Sequence, residues 1–263
     1  MIENLRPTTR SGIKSLAREI KKSGSKYHHA LDTASQQAGF QNWADANRLL
    51  TEISVPRTLE PLHKARFVAY WRDFEAKKAG VEEIEFSLRR PLSELIKAER
   101  AMRASYVGGF TNEGGGWLVD RSLRCWCQEV AVGGIETAAR TLQFIDHTGL
   151  RPSYSRKNLR PGGRVIPGRD HLTAWFDPIA RKHVLVDEPY GLKGLDDERA
   201  AWALRYNRQI LKPNWKGMHN PTGGTEAYLI AEVGYHLAGL CNLLDSMPAE
   251  SDWKRDSRPN IYY

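Results

Sequence analysis

Cysteine is scarce: Cys125, Cys127 and Cys241 are the three in a chain of 263 residues. They cannot all pair with one another. Cys125 and Cys127 are one residue apart, unlike a CxxC knuckle, and no second pair completes a zinc site. The expectation is reduced thiols in a bacterial-type cytoplasm. Long apolar runs are missing too. The longest, from Tyr228 to Leu244, is interrupted by Glu232 and His236, which excludes a clean membrane span. The opening MIENLRPTTR has neither an apolar core nor a cleavage site, so no secretory signal is expected. The eight histidines form no HExxH or His-x-His, and no GxGxxG or Walker lysine motif occurs. Neither a cofactor nor a metal is called for.

What is present is an ordinary globular composition, 41% hydrophobic and 27% charged, with a net charge of +8. That excess favours a polyanionic partner, DNA or RNA, or an acidic protein surface. Two blocks concentrate it. Residues 1–26 hold Arg6, Arg10, Lys14, Arg18, Lys21, Lys22 and Lys26 against Glu3 and Glu19. Residues 151–169 hold Arg151, Arg156, Lys157, Arg160, Arg164 and Arg169 with no acid. The second block is also rich in Pro, Gly and Ser, which predicts a long exposed loop.

The organisation expected is an α+β protein: a three-helix module over 1–53, then a mixed domain over 57–263 with a small antiparallel sheet packed by helices. In the first helix Ile13, Leu16, Ala17 and Ile20 make one apolar face and Gly24 stops it. Tyr27, Leu31, Ala34 and Ala38 line the second, which ends at Gly39. Asn42 caps a third, with Trp43, Ala46 and Leu50 inward.

The run HHALDTASQQAGFQNW resembles a small helical module found ahead of bacterial glyoxalase-like domains and on plasmid and integrative-element proteins. His28 or His29, Ala30, Leu31, Gly39, Phe40 and Trp43 carry the likeness, and Tyr27 departs from it where a serine is usual. The remainder, with its AYWRD and VDEPY pieces, is similar to an uncharacterised family of integrative conjugative elements. The resemblance implies a mobile-element context and no known activity.

In the second domain FVAYWRD and VEEIEFSL alternate as strands, with Ile84, Phe86 and Leu88 on one face. Residues 91–104 read as a helix and 105–118 as a Gly-rich loop. A helix is expected from Asp120 to about His147, broken or bent near Gly133 and Gly134. A last helix uses Leu229, Val233, Leu237, Leu240 and Leu244.

DHLTAWFDPIARKHVLVDEPY, residues 170–190, reads as a hairpin. Alternation puts Leu172, Ala174 and Phe176 on one face with Val184 and Val186. It puts His171, Thr173, Trp175 and Asp177 on the other with His183, Leu185 and Asp187. The triplet His171-Leu172-Thr173 resembles one half of the paired HxT signature of two-histidine phosphoesterases, and the chain has no second HxT.

Two chemistries follow. The leading expectation is a nucleic-acid-binding accessory protein of a mobile element. Lys14, Arg18, Lys21, Lys22, Arg151, Arg156, Lys157, Arg160, Arg164 and Arg169 would meet phosphates, and Tyr154 would stack on a base. The alternative is a nuclease or toxin-like hydrolase using His171, His183, Asp187 and Glu188. A third reading is a protein-binding adaptor or inhibitor of a host nucleic-acid machine. The Gly-rich runs NEGGGW and NPTGGTEAY are read as turns rather than anion cradles.

Overall fold

The computed structural model describes residues 10–22, 24–52, 62–95, 106–153, 165–191 and 195–259. It is an α+β fold, and the chain divides into two compact units, 1–59 and 60–263.

The first unit is built from α1 (Arg10–Lys22), α2 (Tyr27–Gln37) and α3 (Trp43–Glu52). Ile13, Ala17, Ala30, Ala34, Phe40, Ala46 and Leu50 are buried together. Small residues at the helix contacts let the backbones approach closely. Asn42 Oδ1 accepts the Asp45 amide at 2.9 Å, satisfying one orphan donor at the start of α3.

The second unit has two five-stranded sheets rather than one small one. In the first the order is β10-β2-β1-β4-β3, formed by β1 (His63–Asp73), β2 (Lys78–Leu88), β3 (Thr111–Gly114), β4 (Trp117–Cys125) and β10 (Lys254–Pro259). β1 and β4 run parallel and the other pairs antiparallel. The second sheet is antiparallel, in the order β5-β6-β7-β9-β8. Its strands are β5 (Arg151–Pro152), β6 (Thr173–Asp177), β7 (Lys182–Asp187), β8 (Arg208–Leu211) and β9 (Tyr228–Glu232).

α5 (Gln128–Thr148) ties the unit together. Its residues 138–146 are buried without interruption, so the helix is covered on every side. It packs against β1 and β2, while Phe144 meets Trp175 of β6 with ring centroids 4.6 Å apart. α6 (Asp196–Arg205) covers the far face of the second sheet through Trp202 and Ala203. The short α4 (Leu92–Leu95) and α7 (Leu237–Asp245) complete the described helices.

The structure corrects several expectations. The stretch expected as a Gly-rich loop folds into β3 and the start of β4. The helix expected from Asp120 begins at Gln128, because 117–125 pair as a strand. α5 continues through Gly133 and Gly134 as one helix, so no break occurs there. The last expected helix is split: Leu229 lies in β9, and Leu237, Leu240 and Leu244 in α7. Of the expected helix over 91–104, residues 92–95 are helical and 96–104 lie outside the described residues.

Candidate functional site

The β6–β7 hairpin is paired in a register that differs from the expected one. Trp175 faces Val184 and Thr173 faces Val186, while Ala174 faces Leu185 and Phe176 faces His183. Trp175, Val184 and Val186 therefore point at α5, and Ala174 and Leu185 point at α6. Both faces of this sheet are buried, so neither is the half-solvated face that simple alternation assumes. His183 sits near the turn against Phe176, with ring centroids 5.1 Å apart, and burial lowers its pKa. His171 lies beyond Thr173 at the opposite end of the strands, at least roughly 10 Å away. The two histidines do not meet.

Asp187 is occupied structurally. It is fully buried, accepts the Asp170 amide at 3.0 Å, and is paired to the buried Arg199 at 2.8 Å. Arg199 also donates to the Pro167 carbonyl at 3.0 Å. Burial raises the Asp187 pKa while Arg199 opposes that rise. The pair clamps the 165–170 segment to the sheet. Thr173 is likewise committed: its hydroxyl accepts from Trp175 Nε1 at 2.8 Å and faces the Val186 carbonyl. That is not how a reacting HxT threonine would stand.

Glu188 is different. One residue past β7, it is wholly buried, and its Oε1 accepts the backbone amides of Met218 and His219, the latter at 2.9 Å. Oε2 has no hydrogen-bond partner among the described residues. Burial pushes its pKa up to about 7, against the two amide hydrogen bonds and the more distant Arg140, which favour the charged form. Gly217 makes this seat: it has φ +100°, and a Cβ there would lie 2.3 Å from Glu188 Oε1. Only glycine fits both the conformation and the space.

The loop that Glu188 anchors delivers His219 onto His171. The two imidazoles stack with centroids 3.5 Å apart and planes 18° apart. His171 itself has φ +47°, a left-handed conformation that costs a non-glycine residue free energy. Its Nε2 stands 3.4 Å from Asp170 Oδ2. Burial and the neighbouring His171 lower the pKa of His219. The Tyr190 hydroxyl accepts from Asn220 Nδ2 at 3.0 Å and lies 3.5 Å from His219 Nε2. Tyr106 also meets His219, with ring centroids 5.6 Å apart. Its pKa is raised, first by burial and then by Glu188 and Asp170.

NPTGGT holds this group in place rather than an anion. Asn220 Oδ1 accepts the Gly223 amide at 3.0 Å, and Thr225 Oγ1 accepts the Asn220 amide at 3.2 Å, so these donors are used internally. NEGGGW forms the β3–β4 turn and leads into β4. Beside His219 and Asn220 a cleft of about 520 Å³ opens against α5, lined also by Gln128, Thr137, Arg140 and Thr222. Among the described residues no group of three or more His, Cys, Asp or Glu side chains is arranged to hold a metal ion.

The remaining expected residues divide. Lys14, Arg18, Lys21 and Lys22 are all exposed on α1. Lys22 is paired with Glu19 at 2.7 Å, and Lys14 and Lys21 lie over Trp43 and Tyr27. Arg151 is exposed on β5 and Arg169 is partly exposed. Tyr154, Arg156, Lys157, Arg160 and Arg164 lie outside the described residues. The chain leaves toward them from Ser153, whose amide bonds the Ala174 carbonyl at 2.8 Å, and returns through 165–170 to His171. β5 runs antiparallel to β6, so the basic segment departs and returns at the His171 end of the hairpin.

Sequence reasoning thus reached His171 and Glu188 but missed His219, Tyr190, Asn220 and Tyr106. A signal for His219 is the run Gly217-Met218-His219-Asn220-Pro221, a glycine and a turn bracketing a histidine. Its partner lies 48 positions away, and only folding brings the two together. No protein-family model, curated protein or solved structure matches the chain.

Proposed function

We propose that the second unit is a nucleic-acid-directed hydrolase that cleaves phosphodiester bonds by acid–base chemistry at His171 and His219, with Tyr190 beside them and Glu188 holding the His219 loop. The observation that carries this reading is a wholly buried Glu188 with a pKa of about 7, hydrogen-bonded to the backbone of a histidine stacked on a second histidine. Buried groups shifted toward neutrality beside a cleft are what proton-transfer sites require. Structural ion pairs also shift pKa values, and Asp187 belongs to one here: both of its carboxylate oxygens are used, Oδ1 by the Asp170 amide and Oδ2 by Arg199. Glu188 Oε2 and His219 Nδ1 are buried and unpaired among the described residues.

The roles follow from the neighbours. Burial favours the neutral form of His219, which suits it to accept a proton. His171 has the Asp170 carboxylate beside it as a partner for an imidazolium, which suits it to give one. Glu188 holds the His219 backbone and titrates in the working range. The polyanion would be gathered by the cations of 151–169, a block that leads directly into His171 in the chain.

The test is cleavage of labelled single-stranded and double-stranded DNA and of RNA, with a divalent cation and with a chelator. Wild type is expected to cut at least one of them. His171→Ala and His219→Ala are expected to lose about 100-fold or more in rate, the typical worth of a positioned acid or base. Absence of cleavage on every substrate overturns the reading. A second reading, a non-catalytic nucleic-acid-binding accessory protein of a mobile element, is favoured by the four exposed cations of α1. It predicts salt-sensitive binding that survives both histidine substitutions with no cleavage.

A further inference from the structure

The hydrolase reading leaves open whether water or a side chain attacks phosphorus. We infer that Tyr190 is the nucleophile, so that cleavage passes through a covalent phosphotyrosyl link between this chain and a nucleic-acid strand. The inference rests on the proposed hydrolase activity and specifies its mechanism.

Tyr190 is 47% exposed, yet its hydroxyl is held from two sides. Asn220 Nδ2 donates to it at 3.0 Å, and His219 Nε2 stands 3.5 Å away. A surface tyrosine needs no such fixing, because water satisfies its hydroxyl. Asn220 is itself fixed, since its Oδ1 accepts from Gly223 and its backbone amide donates to Thr225. The main chain of Tyr190 is pinned by a bridge to Thr225, and the rings of His171 and His219 meet it edge-on at 5.6 and 6.1 Å. The phenol oxygen is therefore rigidly placed and reachable from solvent, with one donor on it and an imidazole nitrogen in reach that accepts its proton when the ring carries hydrogen on Nδ1. That is the environment of an activated nucleophile.

The other nucleophilic side chains near the site are less suited. Thr173 is buried and committed, Thr225 spends its hydroxyl on the Asn220 amide, and Tyr106 is partly buried with its proton held more tightly.

In the first step the phenol proton passes to His219 Nε2 as the Tyr190 oxygen attacks phosphorus. An O–P bond forms to Tyr190 and one P–O ester bond to the sugar breaks. The departing sugar oxygen takes the proton of the His171 imidazolium and leaves as a hydroxyl. In the second step water attacks the same phosphorus and restores the Tyr190 phenol. His171, now neutral, accepts the water proton, and the His219 imidazolium returns its proton to the phenolate. No oxidant or further reactant is consumed.

Two displacements at phosphorus give net retention of configuration, and one gives inversion. The experiment uses the full chain with a single-stranded oligonucleotide carrying one phosphorothioate of known configuration, cleaved in ¹⁸O water. Retention is expected, together with an internally radiolabelled strand that stays on the protein after denaturation and maps to the Tyr190 peptide. Tyr190→Phe is expected to abolish the label and to slow cleavage about 100-fold or more while leaving the melting transition in place. Asn220→Asp, which replaces the donor by a carboxylate, is expected to weaken labelling several-fold. Inversion overturns the inference, as does label on another residue, or a folded Tyr190→Phe that cleaves at the wild-type rate. Each of those outcomes leaves the hydrolase reading standing, whereas no cleavage of any substrate removes both.

Discussion

At Glu188 a single carboxyl links stability to pH. Its pKa in the folded chain is about 7, raised from an ordinary 4.5 chiefly by burial. The folded state therefore binds this proton more tightly than the unfolded state. Its stabilising contribution is complete below about pH 4.5 and is lost as pH rises through about 7. The size is on the order of 3 kcal/mol. Glu188→Gln keeps the oxygen that accepts from Met218 and His219 and removes the charge. Compared with wild type, the variant is expected to be more stable at pH 8 and nearly equal at pH 5. The difference between the two proteins isolates Glu188 from the partly buried His219 and His147, whose lowered pKa values act in the opposite direction. Thermal melts across that range measure it. A variant that is destabilised by the same amount at both pH values would show that Glu188 is ionised throughout.

At the scale of elements, β10 shows where reading from hydrophobicity fails. Lys254, Arg255, Asp256, Ser257, Arg258 and Pro259 are all exposed, so no apolar alternation marks the strand. It is held by pairing to residues 80–85 of β2 and by Trp253 at its start. Trp253 is buried, packs on Phe86 at 6.0 Å between centroids, and lies under the Arg140 guanidinium. Trp253→Ala is expected to cost about 3–5 kcal/mol. It should also expose the β2 amides facing β10 to hydrogen exchange. Urea denaturation and exchange together check this, and Trp253→Phe should recover most of the loss. β1 and β2, by contrast, are readable, because Phe67, Ile84, Phe86 and Leu88 alternate toward the core. The β6–β7 pair is readable as a hairpin but not in its register. Both faces carry apolar residues, so alternation cannot say which face looks at α5. The four-residue turn 178–181 sets the pairing, and that choice separates His183 from His171.

At the scale of the whole molecule the charge is the dominant feature. The net +8 is concentrated at α1 and at the segment 151–169, whose described parts are 151–153, on β5, and 165–169, which lead into His171. Neutralising Arg156, Lys157, Arg160 and Arg164 together is expected to flatten the dependence of log affinity on log salt by roughly 3, since each phosphate neutralised by a cation adds about 0.7–0.9 to the slope. A fluorescence-anisotropy salt series on single-stranded and double-stranded DNA measures it. An unchanged slope would place the binding surface elsewhere, with the α1 cations next to be neutralised.

Composition and periodicity suffice for the α+β class, the three-helix module, the β1–β2 hairpin, the two basic blocks and the candidacy of His171 and Glu188. All of these rest on local physics: the helical and strand repeats, and charge counted along the chain. The site itself depends on long-range placement. Asp187 and Glu188 are adjacent in the chain and chemically alike. One is closed by Arg199, and the other lies beneath the amides of Met218 and His219 with one oxygen unpaired among the described residues. Their difference, like the stacking of His171 on His219, comes from segments far apart in the chain that the tertiary structure brings together. A pKa is set by desolvation and neighbouring charge, and neither exists until the chain is folded.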